Sequence, residues 1–456
     1  MNPVFATATQ LAAAIRERHV TASDVLEAHL AQIDAHNPAI NAIVTMDAHG
    51  ARQRAREADA ALARGEPWGP LHGVPFTLKD AHATAHMRTT TGFPPFDHVP
   101  ESDGAVASRL KAAGGIIIGK SNVPVMLSDF QTSNPIFGTT NNPWDVKRTP
   151  GGSSGGAAAA VASGMVPFDI GTDLAGSVRI PAHFSGVYAL KPTEHRVSLD
   201  GVVPDPHHSP RSVRIMSCIG PVARSVDDID LLYRIIAGPD GRDTDVPPVP
   251  LGVRAAIDLA GLRIAYAPTF PGFPVAAEIR DAIETLAQAL QSIGASVVEA
   301  PLPSLDFRDD LRRGGALVGM ITSAFQPDTG NAPATIAQYF EALARRDQSI
   351  MAWEQFFGEW DVLLCPPSMT TAFPHCTPGS PLSVDGRDES YWMVSAHAAL
   401  FNYPGNPAIV MPCTLDRDGL PLGIQLVGRR WDESRLLGIA KAMTAFTGEF
   451  RRPSGF

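Results

Sequence analysis

Apolar residues follow a helical period in the first part of the chain and then collect into short runs. The segment TASDVLEAHLAQIDAHNP carries a Thr/Ser start signal near Ser23 and a stop signal at Asn37-Pro38, which predicts a helix between them. A charged helix is expected over about 52–64. The apolar run GVPFTLKD follows, and it predicts a short strand leading into Lys79.

Helical and strand patterns alternate along the rest of the chain. We predict helices in DGAVASRLKAAGG, SGGAAAAVASG, SVDDIDLLYRIIAG and AEIRDAIETLAQALQSIGA, and strands in IIIG, VPFDIGTD, LRIAYAP, SVVEA and WDVLLCPP. The late segment NPAIVMPCTLDRDGLPLGIQLVG is expected to form a hairpin about DRDG. This alternation predicts an α/β fold with a buried, mixed sheet.

Proline-rich segments interrupt the pattern at Val203–Pro210 and Pro239–Pro250. We interpret both as surface loops or lids, because neither has the composition of a domain boundary. Residues 1–456 are therefore expected to form a single domain.

Composition and charge exclude several classes of protein. The chain has 456 residues, 44% of them hydrophobic, and a formal net charge of −10, which disfavours a nucleic-acid binder. No apolar run is long enough for a membrane span, and the N-terminus lacks the pattern of a secretory signal. The four cysteines are scattered, as in a reduced, cytoplasmic enzyme: Cys218, Cys365, Cys376 and Cys413.

The segment from Gly114 to Ser121 matches the nucleotide-binding pattern G-x-x-x-x-G-K-[ST]. Its variable positions include three consecutive isoleucines, which favour a strand over a flexible phosphate-binding loop. The residues after Ser121 are Asn122-Val123-Pro124, which break a helix instead of starting one. We therefore expect a core strand ending in a polar turn.

Two other short motifs lack the context that their chemistry needs. Ser108 and Lys111 form an S-x-x-K pattern, but no K-T-G accompanies it, and both lie in a predicted amphipathic helix. His82 and His86 have i,i+4 spacing without the H-E-x-x-H motif or a defined third ligand. No metal site and no cofactor are expected.

The stretch TPGGSSGGAAAAVASG carries more chemical information. GGSSGG runs into an alanine-rich segment that predicts a tightly packed helix, whose N-terminus would bring partial positive charge to Ser153 and Ser154. A nucleophile elbow G-x-S-x-G also fits, but that motif needs an apolar strand before it, and here Pro150 precedes the glycines.

The following stretch, GTDLAGSVRIP, presents Ser177 among small residues, where backbone N–H groups can converge on an oxyanion. A serine nucleophile needs a base, and no histidine is placed for that role. A lysine can serve when burial keeps it neutral, and Lys79 ends an apolar run. The alternative is a structural lysine paired with Asp80.

Several motifs in one order carry a resemblance that spans nearly the whole chain: GVPFTLKD, GKSNVP, NPWD with TPGGSSGG, GTDLAGSVRIPA, ALKPT, SVDDIDLL and GNPAIVMP with GLPLGIQLVG. The sequence resembles the amidase signature family. The resemblance implies a single α/β/α domain on a mixed, mainly parallel-core sheet with helices on both faces. It divides the chain into N-terminal helices at about 5–65, a signature core at about 70–195 and a remainder that completes the sheet and pocket.

The resemblance also implies site residues. It places the general base at Lys79, the nucleophile at Ser177 and, between them, a bridging serine at Ser153 held by a cis peptide. Ser154 would support the loop, and Asp173 with Arg179 would brace the following turn.

The implied oxyanion donors are four consecutive backbone N–H groups, those of Leu174, Ala175, Gly176 and Ser177. The family usually has glycine where this chain has Ala175. Alanine retains the N–H, so we expect an active enzyme with a narrower pocket.

The function implied is hydrolysis of a small amide without metal or organic cofactor, with esters, anilides and carbamates as further substrates and a homodimer as the expected assembly. The alternative is the glutaminase subunit of a tRNA-dependent amidotransferase. The loop VPDPHHSPRS, Ala175 and the compact length favour the stand-alone enzyme. Three segments are expected to wall the pocket: 126–134, 203–216 and 317–325.

Overall fold

The computed structural model describes residues 2–202, 214–323 and 334–456. The strands are β1 (Ile43–Met46), β2 (Pro75–Lys79), β3 (Ile116–Ser121), β4 (Ser133–Asn134), β5 (Gly138–Thr139), β6 (Phe168–Asp173), β7 (Tyr188–Lys191), β8 (Cys218–Ala223), β9 (Arg263–Tyr266), β10 (Ser296–Glu299), β11 (Val362–Cys365), β12 (Leu382–Val384), β13 (Arg387–Glu389), β14 (Ala408–Leu415) and β15 (Pro421–Val427). The α-helices are α1 (Ala8–Arg16), α2 (Ala22–Ile40), α3 (Ala48–Ala63), α4 (Ala105–Ala112), α5 (Gly155–Ala162), α6 (Arg179–Ser185), α7 (Val226–Ile236), α8 (Ala277–Ser292), α9 (Phe307–Ser323), α10 (Ile336–Glu359), α11 (Ala396–Ala399) and α12 (Glu433–Thr447).

Eleven of these strands form one sheet, in the order β1-β3-β2-β6-β8-β7-β14-β15-β11-β9-β10. Parallel pairs occur in two blocks, β3-β2-β6 and β11-β9-β10. The strands between the blocks, from β6 through β8, β7, β14 and β15 to β11, are all antiparallel neighbours. The expectation of a mainly parallel core is therefore wrong. The β14–β15 connection shows one reason, since so short a turn can only join antiparallel strands.

Both faces of the sheet are covered. On β11, Val362 and Leu364 belong to one buried cluster together with apolar residues of α7, α8 and α12. Their neighbours Leu363 and Cys365 point the other way, into a second buried cluster that contains Trp353 of α10. Because alternate residues of a strand face opposite sides of the sheet, helices pack on both sides. The fold is the expected α/β arrangement, a large mixed sheet with helices around it.

The strands and helices predicted from the apolar pattern are confirmed, with small shifts in their bounds. The first long helix is capped by Thr21 and runs through Pro38, so the predicted stop at Asn37-Pro38 is wrong. The helix ends instead at Asn41, which adopts a left-handed conformation (φ 55°). The Pro239–Pro250 segment has no regular structure, as predicted, and Val203–Pro210 lies outside the described residues.

The G-x-x-x-x-G-K-S segment is a strand throughout. Gly119, Lys120 and Ser121 belong to β3 and pair with β1 on one side and β2 on the other. The expected core strand is confirmed, and it includes Gly119 and Lys120, because both neighbouring strands continue the pairing through these residues. In the described part of the chain, no helix is both long and apolar enough to cross a membrane.

Candidate active site

Strand pairing brings two predicted site segments together. Lys79 is the last residue of β2, and Asp173 is the last residue of β6. The two strands are parallel, with Thr77 opposite Asp169. Because parallel strands end at the same edge of a sheet, the lysine and the turn after Asp173 lie beside each other.

Lys79 is fully buried and surrounded by hydroxyl groups. Its Nζ lies 2.6 Å from Ser153 Oγ and 2.9 Å from both Ser154 Oγ and Thr172 Oγ1. Thr172 also offers its carbonyl oxygen at 3.4 Å. The hydroxyls can donate as well as accept, so the same arrangement suits a neutral amine that receives a proton from Ser153.

Burial lowers the pKa of Lys79 to about 7, although the negative charges of Asp173 and Asp169 oppose the shift. No ion pair joins Lys79 to Asp80 among the described residues. Asp80 instead accepts hydrogen bonds from the backbone and hydroxyl of Thr90, and burial raises its pKa to about 6. The geometry therefore disfavours a structural Lys79–Asp80 pair.

The double-serine turn precedes α5 and is closely packed. The Gly152–Ser153 peptide is cis, at the position implied by the family resemblance. A side chain at Gly152 would collide with the carbonyl oxygens of Asp129 and Gln131, 2.5 and 2.9 Å from its Cβ position. Ser154 donates its backbone N–H to the Ser177 carbonyl at 3.0 Å, which ties the two serine-bearing turns together.

Ser177 retains 8% exposure, and its hydroxyl makes no hydrogen bond with a described residue. The nearby Asp173 carboxylate accepts hydrogen bonds from the N–H groups of Gly176 (2.8 Å) and Val178 (3.2 Å). It also receives a two-pronged contact from Arg179, at 3.0 and 2.9 Å. Burial works to raise the pKa of Asp173, but the charge and hydrogen bonds of Arg179 outweigh it and hold that pKa well below its ordinary value.

Arg179 is fully buried and reaches beyond Asp173. Its guanidinium donates to the Ala398 carbonyl and to Gln425 Oε1, both at 2.7 Å, and to Asn402 Oδ1 at 2.5 Å. The Asn402 amide donates to Asp173 in turn, at 3.0 Å. The turn that carries Ser177 is thus anchored to α11 and β15 through one arginine.

The four predicted oxyanion donors are not equivalent. The Gly176 N–H is engaged by Asp173, whereas the N–H groups of Leu174, Ala175 and Ser177 have no hydrogen-bond partner among the described residues. Gly176 has φ +99°, and a Cβ there would lie 2.6 Å from the Ala398 side chain. Gly176 therefore shapes the turn, and the other three N–H groups are available to a ligand.

Sequence reasoning missed Thr172, although it lies inside the GTDLAGS motif, and it missed Asn402 and Gln425, which no local pattern connects to the site. The lysine of the S-x-x-K pattern has a different environment. Lys111, on α4, forms an ion pair with Asp103 at 2.7 Å. Within the described residues, no group of three His, Cys, Asp or Glu side chains could hold a metal ion.

One of the predicted pocket walls borders a cavity. Residues of the 126–134 segment line a space of about 410 Å³. The backbone of the same segment packs against Gly152 in the double-serine turn. The other two segments, 203–216 and 317–325, extend into residues outside the described ranges.

Comparison with known proteins agrees with this architecture. The family model described as Amidase matches residues 24–324 and 317–437. A glutamyl-tRNA(Gln) amidotransferase subunit from Roseiflexus sp. (strain RS-1) is 33% identical over 477 residues, which cover 95% of each chain.

Two solved structures are similar over nearly the whole length. One, 6-aminohexanoate cyclic dimer hydrolase, has a TM-score of 0.83 and 28% identity, covering 99% of both chains. The other comes from work on a vestigial protein complex and the origins of an s-triazine catabolic enzyme, with a TM-score of 0.85, 27% identity and coverage of 98% and 99%. The chain therefore belongs to the amidase signature family, a family of hydrolase-like enzymes that act on C–N bonds.

Proposed function

We propose that this protein hydrolyses the C–N bond of a small amide through an acyl-enzyme on Ser177, with Lys79 as the base and Ser153 as the bridge. The observation that carries the proposal is the contact of 2.6 Å between the buried Lys79 Nζ and Ser153 Oγ. A lysine with a pKa lowered to about 7 is a competent base near neutral pH.

In the first half-reaction, Ser177 Oγ attacks the amide carbonyl and gives its proton to Ser153, which passes its own proton to neutral Lys79. The negative charge on the carbonyl oxygen is stabilised by the free N–H groups of Leu174, Ala175 and Ser177. The proton then returns through Ser153 to the leaving nitrogen, and the C–N bond breaks.

In the second half-reaction, water attacks the acyl group along the same proton route and frees Ser177. The Asp173–Arg179 pair touches no reacting atom. It fixes the turn, and with it the direction of the N–H groups, which is the property that electrostatic stabilisation of an oxyanion requires.

The curated relatives favour a second candidate, the amidase subunit of a glutamyl-tRNA(Gln) amidotransferase, which would hydrolyse glutamine to supply ammonia. The compact length does not argue against it, because this chain and the Roseiflexus relative align over 95% of both lengths. The proline-rich loop falls outside the described residues. Ala175 and the sequence of that loop therefore remain as the arguments for a stand-alone enzyme.

A substrate panel separates the two candidates. Purified protein is assayed with p-nitroanilides, p-nitrophenyl esters, aryl carbamates and glutamine, and co-purified chains are identified. Hydrolysis of small amides by the isolated chain supports the stand-alone enzyme. Glutamine as the best substrate, with activity raised by co-purified partner proteins, supports the amidotransferase reading. Ester and carbamate hydrolysis and a homodimeric assembly, measured by light scattering, are further parts of the first proposal.

The triad is tested with Ser177→Ala, against Ser108→Ala as the matched control on α4. Ser177→Ala should abolish turnover and the acyl-enzyme detected by intact mass, and Ser108→Ala should preserve both. Lys79→Ala should lower kcat/KM by about 10²–10⁴-fold, the usual contribution of a general base. Retained turnover in Ser177→Ala would refute the proposed nucleophile.

A further inference from the structure

The cavity of about 410 Å³ that the 126–134 segment lines in part holds one charged side chain. Among the described residues that line it, Asp129 is the only Asp, Glu, Lys or Arg. The lining also includes His375, whose ring nitrogen Nε2 is bonded to Asn141 Oδ1 at 3.0 Å and whose pKa is lowered by burial. Asp129 is therefore the one carboxylate among the described residues that line the cavity.

The Asp129 carboxylate is held in place by hydrogen bonds but has no cation beside it. Its Oδ1 accepts hydrogen bonds from the Tyr391 hydroxyl and from the Phe130 N–H, the latter at 2.7 Å, and the Gln131 N–H also interacts with the carboxylate. Asp129 forms no ion pair with a described residue. Burial raises the pKa of Asp129, against the effect of the Tyr391 hydrogen bond. A half-buried carboxylate without a cation is costly, so this position suits a positively charged ligand.

An aromatic side chain lies at the same cavity. Trp392 lines the cavity and is 54% exposed, which is unusual for so large an apolar group. It meets Tyr391 edge to face, with ring centroids 5.2 Å apart, and Phe130 at 6.1 Å. An exposed indole beside a carboxylate is a combination that binds ammonium groups, because the ring face attracts cations.

The segment that carries Asp129 contacts the turn that carries Ser153. The Asp129 carbonyl lies 2.5 Å from the Cβ position of Gly152, the residue before Ser153. The Thr132 hydroxyl donates to the Gly151 carbonyl at 2.8 Å and accepts from the Gly155 N–H at 3.2 Å. The segment that carries Asp129 therefore packs directly on the turn that carries the bridging serine.

We propose that this cavity is a substrate subsite for a primary ammonium group, held by Asp129 and Trp392. It follows, if the proposed amide hydrolysis holds, that the preferred substrates are amides with a cationic end separated from the scissile bond by a flexible spacer. The ammonium would donate to the Asp129 carboxylate and rest against the Trp392 ring.

The test uses matched pairs of substrates that end in either an ammonium or a methyl group, with graded spacer lengths. One series carries the varied group in the acyl part of an anilide, and the other carries it in the amine part. The ratio of kcat/KM within each pair is measured at about pH 8, where aspartate is ionised and alkylammonium is protonated. We expect a ratio of about 10 to 100 in favour of ammonium at one spacer length, as for a charge-assisted hydrogen bond.

Variants at Asp129 and Trp392 should change the ratio of kcat/KM between ammonium-ended and methyl-ended substrates. Asp129→Asn should bring it close to one, Asp129→Lys should invert it in favour of carboxylate-ended amides, and Trp392→Leu should lower it about two- to five-fold. Asp97→Asn, in the exposed pair with Arg88, is the control for the overall negative charge and should keep the ratio. Inhibition of wild-type enzyme by alkylammonium ions, and not by the matching alcohols, gives a readout that needs no variant.

The outcomes separate this inference from the proposed function. Ser177-dependent hydrolysis of the methyl-ended amides, with no ammonium preference at any spacer length in either series, would overturn the subsite and leave the hydrolase intact. A preference that survives Asp129→Asn would also overturn it. Absence of all hydrolysis and of an acyl-enzyme would instead overturn the hydrolase.

Discussion

Lys79 Nζ lies 2.6 Å from Ser153 Oγ, and the two residues are only 0% and 1% exposed. No carboxylate is hydrogen-bonded to this nitrogen among the described residues. Lys111 forms a contrast, because its Nζ reaches both oxygens of Asp103, at 2.7 and 2.9 Å, and remains partly exposed. Burial disfavours the charged form of an amine, so a buried lysine with hydroxyl partners can lose its proton near neutral pH.

The first prediction concerns the pH dependence of the reaction. Lys79 acts as a base only when deprotonated, so kcat/KM should rise about tenfold per pH unit below pH 7 and level off above it, following the pKa of about 7. Initial rates with a neutral amide across about pH 5–9 give the profile.

Two variants test whether Lys79 is the titrating group. Lys79→Arg should be inactive at every pH, since a guanidinium stays protonated. Lys111→Arg, in the partly exposed pair with Asp103, should reproduce the wild-type profile. A profile that is flat through pH 7 in the wild type would contradict the assignment.

The second prediction concerns Asp169, whose pKa is raised to about 6 by burial. Above that pH its negative charge raises the pKa of Lys79. The Thr77 hydroxyl donates a hydrogen bond to Asp169 Oδ2 at 2.6 Å. Asp169→Asn keeps an oxygen that can accept this hydrogen bond but removes the negative charge. The acidic limb of kcat/KM should therefore move to lower pH.

The matched control is Asp80→Asn. Asp80 is also buried, but its charge acts on Lys120. Asp80→Asn should leave the acidic limb of kcat/KM in place. Circular dichroism should show that both variants are folded. A shift of the limb to higher pH in Asp169→Asn would refute the electrostatic argument.

Local patterns predicted the parts of the fold and site that depend on near neighbours in sequence. Short motifs indicated Lys79 as a base and Ser177 as a nucleophile, and the family resemblance supplied Ser153 as the bridge. The apolar period likewise predicted α7 and α8, although it did not lead us to predict α9. Two central strands were missed, β7 and β8. The second has Gly220 and Pro221 in its interior, residues that argue against a strand unless the tertiary context accommodates them.

Contacts between distant segments could not be predicted. Arg179 reaches Asn402 and Gln425 across 223 and 246 residues of chain. Likewise, the Asp173 carboxylate accepts a hydrogen bond from the Gly176 N–H, which the family resemblance implied to be an oxyanion donor. Such details depend on how the turn is braced by other elements, and a single sequence contains no signal for that geometry.

The third prediction concerns Gly176 and Ala175, two adjacent residues of which only Ala175 should tolerate substitution. Gly176→Ala places a Cβ 2.6 Å from the Ala398 side chain at φ +99°, so it should destabilise the fold by about 1–3 kcal/mol and disrupt the oxyanion turn. Ala175→Gly removes only a methyl group that is partly exposed, and it should retain activity.

Thermal unfolding and kcat/KM measure both effects. Gly315→Ala on α9 is the control, because no atom lies within 4 Å of the added Cβ. If Gly176→Ala were as stable and active as Gly315→Ala, the turn would not have the rigidity that the mechanism requires.

The fourth prediction concerns the buried pair of Asp173 and Arg179. Arg179→Lys keeps the charge but cannot reproduce the fork that reaches Asp173, Gln425 and Asn402 together. It should lower the free energy of unfolding by about 1–3 kcal/mol, because buried acceptors are left without their donors. Urea unfolding measures this, with Arg52→Lys in the exposed pair with Glu27 expected to change it by less than about 0.5 kcal/mol.

The same variant should change the acid stability. Because the folded-state pKa of Asp173 is depressed, its ionised form contributes stability that is present above about pH 4 and is lost as the pH falls through the depressed value. Arg179→Lys weakens the depression, since the ammonium keeps the positive charge but cannot make the two hydrogen bonds of the guanidinium to the carboxylate. Acid unfolding of the variant should therefore begin at a higher pH than that of the wild type. Parallel acid-unfolding curves for Arg179→Lys and Arg52→Lys would show that Asp173 owes its low pKa to another group.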